Sequence, residues 1–245
     1  MIYNRIKTIE YIGDCMINKQ LDAVIFDLDG TLIDSMWLWA EIDKEFLGKR
    51  NIAVPFDLSN EIEGKGFTET ACYFKEKFKL DMSVEEIKAE WMKMAWEFYT
   101  QKIQLKTGVK DFLEVLRANQ IKMGIATSNS IELVEAVLEA LGIAEYFMQI
   151  RTSCQVGRGK PFPDIYLKVA EDLQVSPSNC LVFEDIPNGV RAGKNAGMTV
   201  WAIEDRQTEE IKIQLHEIAD CYMKDYLEVK RELIVLGILH NFNNI

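Results

Sequence analysis

Two aspartates, Asp27 and Asp29, close a short apolar run that reads Val24-Ile25-Phe26-Asp27-Leu28-Asp29-Gly30-Thr31-Leu32. Side chains two apart on an extended strand share a face, so both carboxylates point the same way from the strand tip. Burying them is costly unless something satisfies their charge. A divalent cation such as Mg²⁺ does so, because hard cations take carboxylate and carbonyl oxygens. The pair also permits a division of labour, with one carboxylate attacking while its neighbour handles a proton.

Three further stretches carry chemistry. Ile125-Ala126-Thr127-Ser128-Asn129-Ser130 passes from apolar to small polar residues at a helix start. Free backbone N–H groups and the helix dipole make such a place an anion site; its plainer reading is an N-cap. Gly159-Lys160-Pro161-Phe162-Pro163-Asp164 sets a lysine between glycine and proline ahead of a helix, either reaching inward from a stiff loop or solvated. The Gly157-x-Gly159 before it is not a nucleotide P-loop, since no Ser or Thr follows Lys160. Leu181-Val182-Phe183-Glu184-Asp185 is a second apolar run ending in acid, which matches the first and favours metal binding over a solvated turn. In an open parallel sheet, ligands sit outside the carboxyl ends of the strands near the switch in strand order. Placed there together, the four stretches supply cation ligands, phosphate donors and a nucleophile.

The elements that must position them are legible as short apolar runs alternating with helix-period segments, the mark of βαβ units on a parallel sheet. Strands are expected at 23–26, 122–126, 147–152, 180–183 and 199–203, with a shorter one at 220–223. Ser130 caps a helix over 131–141, Pro163 and Asp164 open one over 165–173, and another runs from Asn188 to near Gly197. From Met36 to Leu105 only helical pattern appears, with helices at 37–48 and 68–78. A capping box, Ser83-Val84-Glu85-Glu86, then precedes an apolar face of Ile87, Trp91, Met94 and Phe98. The expected architecture is a doubly wound, Rossmann-like parallel-sheet α/β core of residues 21–35 and 106–245, with an inserted all-helical cap over 36–105. Residues 1–20 are expected to form an N-terminal extension, the first 15 loosely attached or read from a start codon placed too far upstream.

A chain of 245 residues with 48% hydrophobic content suits a core plus a small inserted domain, and disorder is excluded. Its net charge of −11, without a run of Lys or Arg, argues against nucleic acid and an anionic membrane as partners. A phosphorylated substrate remains open, since a few local cations and a metal bind phosphate on an acidic protein. Cys15, Cys72, Cys154, Cys180 and Cys221 form no C-x-x-C pair and are expected to be reduced thiols in a cytoplasmic protein. No secretory apolar stretch opens the chain, and the run at 233–239 is too short to span a bilayer.

The set resembles the haloacid dehalogenase superfamily of phosphohydrolases. Its D-x-D-x-T motif is matched by Asp27, Asp29 and Thr31, and its strand-end Thr or Ser by Thr127. Its K-P-x-P-D setting is matched by Lys160 through Asp164, and its acidic pair by Glu184 and Asp185, followed by Asn188-Gly189. The resemblance implies that Asp27 attacks phosphorus and becomes an aspartyl phosphate, while Asp29 protonates the leaving oxygen and then activates water. It also implies Mg²⁺ on the Asp27 carboxylate, the Asp29 backbone carbonyl and Asp185, with Glu184 assisting. Thr127 and the amides of Ser128 and Asn129 would hold the phosphate oxygens, with Lys160 neutralising charge.

The helical insertion resembles the cap of the subgroup containing β-phosphoglucomutase and many small-metabolite phosphatases. In that subgroup a loop between cap helices dips into the pocket, and Glu63-Gly64-Lys65-Gly66-Phe67 is the matching place. Its two glycines, Gly64 and Gly66, permit a tight approach and Lys65 would meet a substrate anion, or else the stretch is an ordinary helix–helix turn. The mutase pattern has a basic residue before the first glycine, an arginine three positions after it and a histidine in the first cap helix. This chain has Glu63, Phe67 and Trp39 instead. The expectation is therefore a phosphatase of a small, sugar phosphate-like metabolite, with a β-phosphoglucomutase-type mutase as the alternative and a receiver-like phosphate sensor as a remote one. A dehalogenase is disfavoured, because a halide leaving group has no use for Asp29.

Overall fold

The structure, a computed structural model, describes residues 9–12, 15–18 and 20–240. Its core is a six-stranded parallel sheet of order β5-β4-β3-β6-β7-β8. The strands are β3 (Ala23–Phe26), β4 (Lys122–Thr127), β5 (Gln149–Thr152), β6 (Cys180–Glu184), β7 (Thr199–Ile203) and β8 (Cys221–Met223). The inner strands fall at the expected places because each is a short apolar run with both faces covered by helices, while β5, at the sheet edge, is half-buried and begins two residues later than expected.

The first core strand, β3, lies between β4 and β6, and this is where strand order reverses. Phe26 pairs with Ile125 on one side and Phe183 on the other. The residues just past these pairs, Asp27, Ala126-Thr127 and Glu184-Asp185, therefore emerge side by side. Alternation along β3 sends Val24 and Phe26 into one apolar layer, and Ala23 and Ile25 into the other. In the first layer Phe26 stacks on Phe183 with ring centroids 5.5 Å apart, against α5 (Val109–Ala118) and α10 (Tyr226–Val235). In the second, α7 (Asp164–Asp172) and α8 (Pro187–Asn195) cover the sheet. Helices α6 (Ile131–Ala140) and α9 (Glu209–Ile218) complete the core.

Between β3 and α5 stand α1 (Met36–Gly48), α2 (Leu58–Ile62), α3 (Phe67–Lys77) and α4 (Val84–Gln101), an all-helical insertion. An aromatic cluster of Phe46, Phe67, Phe74 and Trp91 holds it together, with Phe74 and Trp91 meeting edge to face at 4.9 Å. Ser83 and Glu86 cap α4 reciprocally. The buried face of α4 is Ile87, Trp91, Ala95 and Tyr99; the expected Met94 and Phe98 are only partly buried. The helix turns its four-residue row inward, and that row ends in a tyrosine.

The described part of the N-terminal segment holds two short strands. Strands β1 (Ile9–Ile12) and β2 (Cys15–Asn18) form an antiparallel hairpin, and β2 packs beside β7 and β8 with Ile17 buried. Residues 1–8, 13, 14 and 19 of this segment lie outside the described residues. Cys72, Cys154 and Cys180 are free thiols, but Cys221 on β8 is disulfide-bonded, so the reading of five reduced cysteines is corrected. No described helix is long and apolar enough to cross a membrane.

Candidate active site

Asp27 leaves β3 with its backbone N–H on the carbonyl of Phe183 at 3.0 Å, which fixes it against the β6 tip. The Lys160 ammonium, buried on the loop before α7, sits 2.6 Å from Asp27 Oδ1 and 2.5 Å from Glu184 Oε1. Glu184 also accepts the Tyr166 hydroxyl and, through Oε2, the Asp185 amide at 3.2 Å. Its oxygens are thus committed to orienting Lys160 and its own loop. Asp185 Oδ1 accepts Thr31 Oγ1 at 3.0 Å.

Asp27, Glu184 and Asp185 each bring a ligand oxygen to within 4.8 Å of the others, all buried. Burial pushes the Asp27 carboxyl up to about 8, against the pull of Lys160 and with the push of Glu184. Asp185 is driven well above the usual carboxylate range by burial, then by Asp27 and Glu184. Burial works against the Lys160 charge, yet Asp27 and Glu184 hold its pKa above the ordinary lysine value. One ammonium among three buried acids leaves negative charge in excess, and a divalent cation fits that deficit. The backbone makes room for it at Gly30, which has φ +82°; a Cβ there would lie 2.2 Å from Asp185 Oδ2.

Asp29 follows on the same loop and is gripped by side chains from three elements. Oδ1 accepts Ser35 Oγ at 2.6 Å, the Tyr99 hydroxyl, and Trp39 Nε1 at a long 3.4 Å, while Oδ2 accepts Asn129 Nδ2 at 2.8 Å. Thr127 is buried at the β4 tip and its Oγ1 accepts the Asn129 amide at 3.1 Å. Ser128 turns toward the insertion, with Oγ on the Gly64 carbonyl at 3.3 Å and its own carbonyl taking the Phe67 amide at 2.8 Å.

The loop between α2 and α3 lies over this floor. Gly64 has φ +76° and a Cβ on it would come 2.7 Å from the Lys160 carbonyl, so glycine is required by both conformation and space. The Glu63 carboxylate accepts the Asn188 amide at 2.9 Å at the start of α8, and Asn188 Nδ2 returns a bond to the Glu63 carbonyl at 3.2 Å. Lys65 lines the cavity but holds its ammonium 5.8 Å from the Tyr73 ring centroid. The cavity encloses about 650 Å³. Asp27, Thr127, Lys160 and Asp185 form its floor, and Trp39, Leu58, Phe67 and Trp91 contribute to its walls.

A family model of haloacid dehalogenase-like hydrolases matches residues 21–197. The chain belongs to this family. It is 32% identical over 206 residues to a probable pseudouridine-5'-phosphatase of Drosophila melanogaster, covering 80% of this chain and 89% of that protein. It is also 32% identical over 178 residues to a phosphorylated carbohydrates phosphatase of Thermotoga maritima, covering 73% and 82%. Among solved structures, CbbY of Rhodobacter sphaeroides in complex with xylulose-1,5-bisphosphate has a TM-score of 0.76 at 23% identity, covering 85% of this chain and 96% of that one. A β-phosphoglucomutase from Clostridium difficile has a TM-score of 0.75 at 22% identity, covering 89% and 97%. At these identities the structural likenesses describe the fold.

In this hydrolase the structure brings Asp27, Asp29, Thr127, Lys160 and Asp185, all named from the sequence, to the lining of one cavity, with Glu184 buried behind Lys160. Ser128 and Asn129 stand beside them, but their side chains serve Gly64 and Asp29, and the Asn129 amide is already bonded to Thr127 Oγ1. Three residues escaped that reading. Lys106 donates to the carbonyls of Gly30 and Glu204, both at 2.6 Å, and to Asp205 at 2.9 Å, so it pins the Gly30 turn. Tyr99 and Tyr166 read as core aromatics; only their distant partners reveal a polar task.

Proposed function

We propose that this phosphoric monoester hydrolase is a Mg²⁺-dependent phosphatase of a small, singly phosphorylated metabolite and works through an aspartyl phosphate on Asp27. The observation that carries the reading is the convergence of Asp27, Asp29, Lys160 and Asp185 on the floor of one lidded cavity. The relatives named above act, by their names, on pseudouridine 5'-phosphate and phosphorylated carbohydrates, and another at 30% identity acts on validoxylamine A 7'-phosphate. Each of these names denotes the phosphate ester of a small organic molecule.

In the first half-reaction an Asp27 oxygen attacks phosphorus, the bond from phosphorus to the ester oxygen breaks, and Asp29 gives that oxygen a proton. In the second, water attacks the aspartyl phosphate, Asp29 takes its proton, and inorganic phosphate leaves as the Asp27 carboxylate is restored. Bound Mg²⁺ would be held by Asp27, Asp185 and the Asp29 carbonyl, and would supply charge against the repulsion between carboxylate and phosphate. That repulsion is about 4 kcal/mol per unit pair at ~4 Å and an effective dielectric near 20. Lys160 meets the same need from the protein side. Glu184, already bonded to Lys160 and Tyr166, acts by holding that ammonium in place. Thr127 lines the phosphate end.

Glu63 supports a phosphatase over a mutase. A mutase needs a grip for a second phosphate, and here the loop offers a carboxylate bonded to Asn188 where a cation would serve. The test is a panel of phosphorylated metabolites scored for phosphate release with Mg²⁺ and with a chelator. Mg²⁺-dependent release from monophosphates supports the reading. β-Glucose 1-phosphate with a bisphosphate primer giving isomer instead of free phosphate would replace it by the mutase.

A further inference from the structure

Tyr99 is the last buried residue of the inward row of α4, yet its hydroxyl reaches across to the loop carrying Asp29. Two other groups meet the same oxygen: Trp39 Nε1 from α1 at 2.9 Å and Asn129 Nδ2 from the β4 tip at 2.9 Å. Their chemistry leaves no choice of direction. An indole N–H only donates. The Asn129 amide is oriented because its Oδ1 accepts the Ser130 amide at 2.7 Å, so its Nδ2 side faces Tyr99 and Asp29. The Tyr99 oxygen therefore accepts twice, and its single proton goes to the charged acceptor within reach, the Asp29 carboxylate, to which the neighbouring Ser35 hydroxyl also donates. A phenol is protonated at neutral pH, so the donor is always present.

We propose that Tyr99 is a positioning residue for Asp29, its proton aimed by Trp39 and Asn129. The proposal rests on the reading of Asp29 as the acid and base. Ser35 and Tyr99 hold one Asp29 oxygen and Asn129 the other, so the carboxylate plane is set by groups from both the core and the helical insertion. A carboxylate held this way is fixed in orientation, and its Oδ2, which accepts only from Asn129, keeps capacity for a proton in the cavity that Asp27 also lines, as proton delivery to a leaving oxygen requires. Loosening it harms proton transfer more than phosphate binding, because Lys160 and Thr127 have no bond to Tyr99.

The test compares Tyr99→Phe with the parent on an alkyl phosphate and on p-nitrophenyl phosphate, whose leaving group departs without protonation. The expected result is a loss in kcat of about ten-fold or more on the alkyl ester with KM changed little, and a clearly smaller loss on the aryl ester. In an Asp29→Asn background the same substitution should then cost little further on the alkyl ester. Equal losses on both esters, or undiminished cost in that background, overturn the proposal. If Asp29→Asn itself treats both esters alike, the acid–base reading fails first, and the two failures are thereby told apart. Should Tyr99→Phe not fold, Trp39→Phe removes one of the two groups aiming the proton while keeping the hydroxyl. It should show the same ester selectivity in weaker form, and its absence counts against the proposal.

Discussion

Lys160 and Glu184 meet at 2.5 Å with both side chains almost wholly buried, and the same ammonium holds Asp27. A buried cation shared between two acids costs little while complete, but removing it strands two carboxylates. Lys160→Met should therefore lower phosphate release by at least about 100-fold, as loss of a charged transition-state donor does elsewhere. It should also destabilise the fold by about 3–5 kcal/mol. Steady-state kinetics and thermal unfolding check both; an unchanged melting temperature would mean that the ion pair is not closed in solution.

Asp27→Asn removes the nucleophile while keeping its shape. Glu184 still pairs the Lys160 ammonium in the variant, and the amide oxygen can accept the Lys160 bond that Asp27 Oδ1 accepts in the parent, so the site keeps its packing. Phosphate release should vanish with the fold intact, measured by turnover and circular dichroism. Retained turnover above ~1% would contradict the nucleophile assignment.

Much of this arrangement was legible in the chain because the signals are local. Asp27, Thr127 and Asp185 each stand at the end of an apolar run, and an apolar run with both faces covered has few alternatives to a parallel strand. What stayed hidden depends on distance. Tyr99 and Met94 are equally plausible inward residues on α4, and the choice between rows is made by the helix it packs against, not by α4 itself. Lys106 shows no motif, since its partners at Gly30, Glu204 and Asp205 are brought to it only by the fold. The β1–β2 hairpin was missed because its polar residues give no clean alternation, and its place is set by packing on β7 and β8.

Gly30→Ala tests the cation site without touching a ligand. A Cβ at φ +82° would stand 2.2 Å from Asp185 Oδ2, so the turn or the carboxylate must move. Metal sites lose about 10- to 100-fold in affinity when the groups orienting a ligand are disturbed. The Mg²⁺ concentration for half-maximal activity should rise by about that factor, and excess Mg²⁺ should restore part of the rate. The same titration after chelation should abolish activity in the parent enzyme. A variant with an unaltered Mg²⁺ requirement would remove Asp185 from the ligand set.

Asp43 gives a pH dependence of stability with a definite sign. It faces the cavity on α1 with Met36, Trp39 and Ala40, and burial alone pushes its carboxyl from 3.8 up to about 7. The folded chain therefore holds this proton more tightly than the unfolded one. Below about pH 4 both states are protonated and the group is neutral in its effect; from there to about pH 7 the unfolded state gains from ionising, and above pH 7 the full cost is felt. Asp43→Asn should accordingly leave the melting temperature unchanged at pH 3 and raise it at pH 8, by the equivalent of about 1–3 kcal/mol. Thermal unfolding of the two proteins at both pH values decides it. A lower melting temperature for the variant at pH 8 would mean that the Asp43 charge is compensated in the folded chain, and that the cavity wall at this point is already neutralised before any substrate enters.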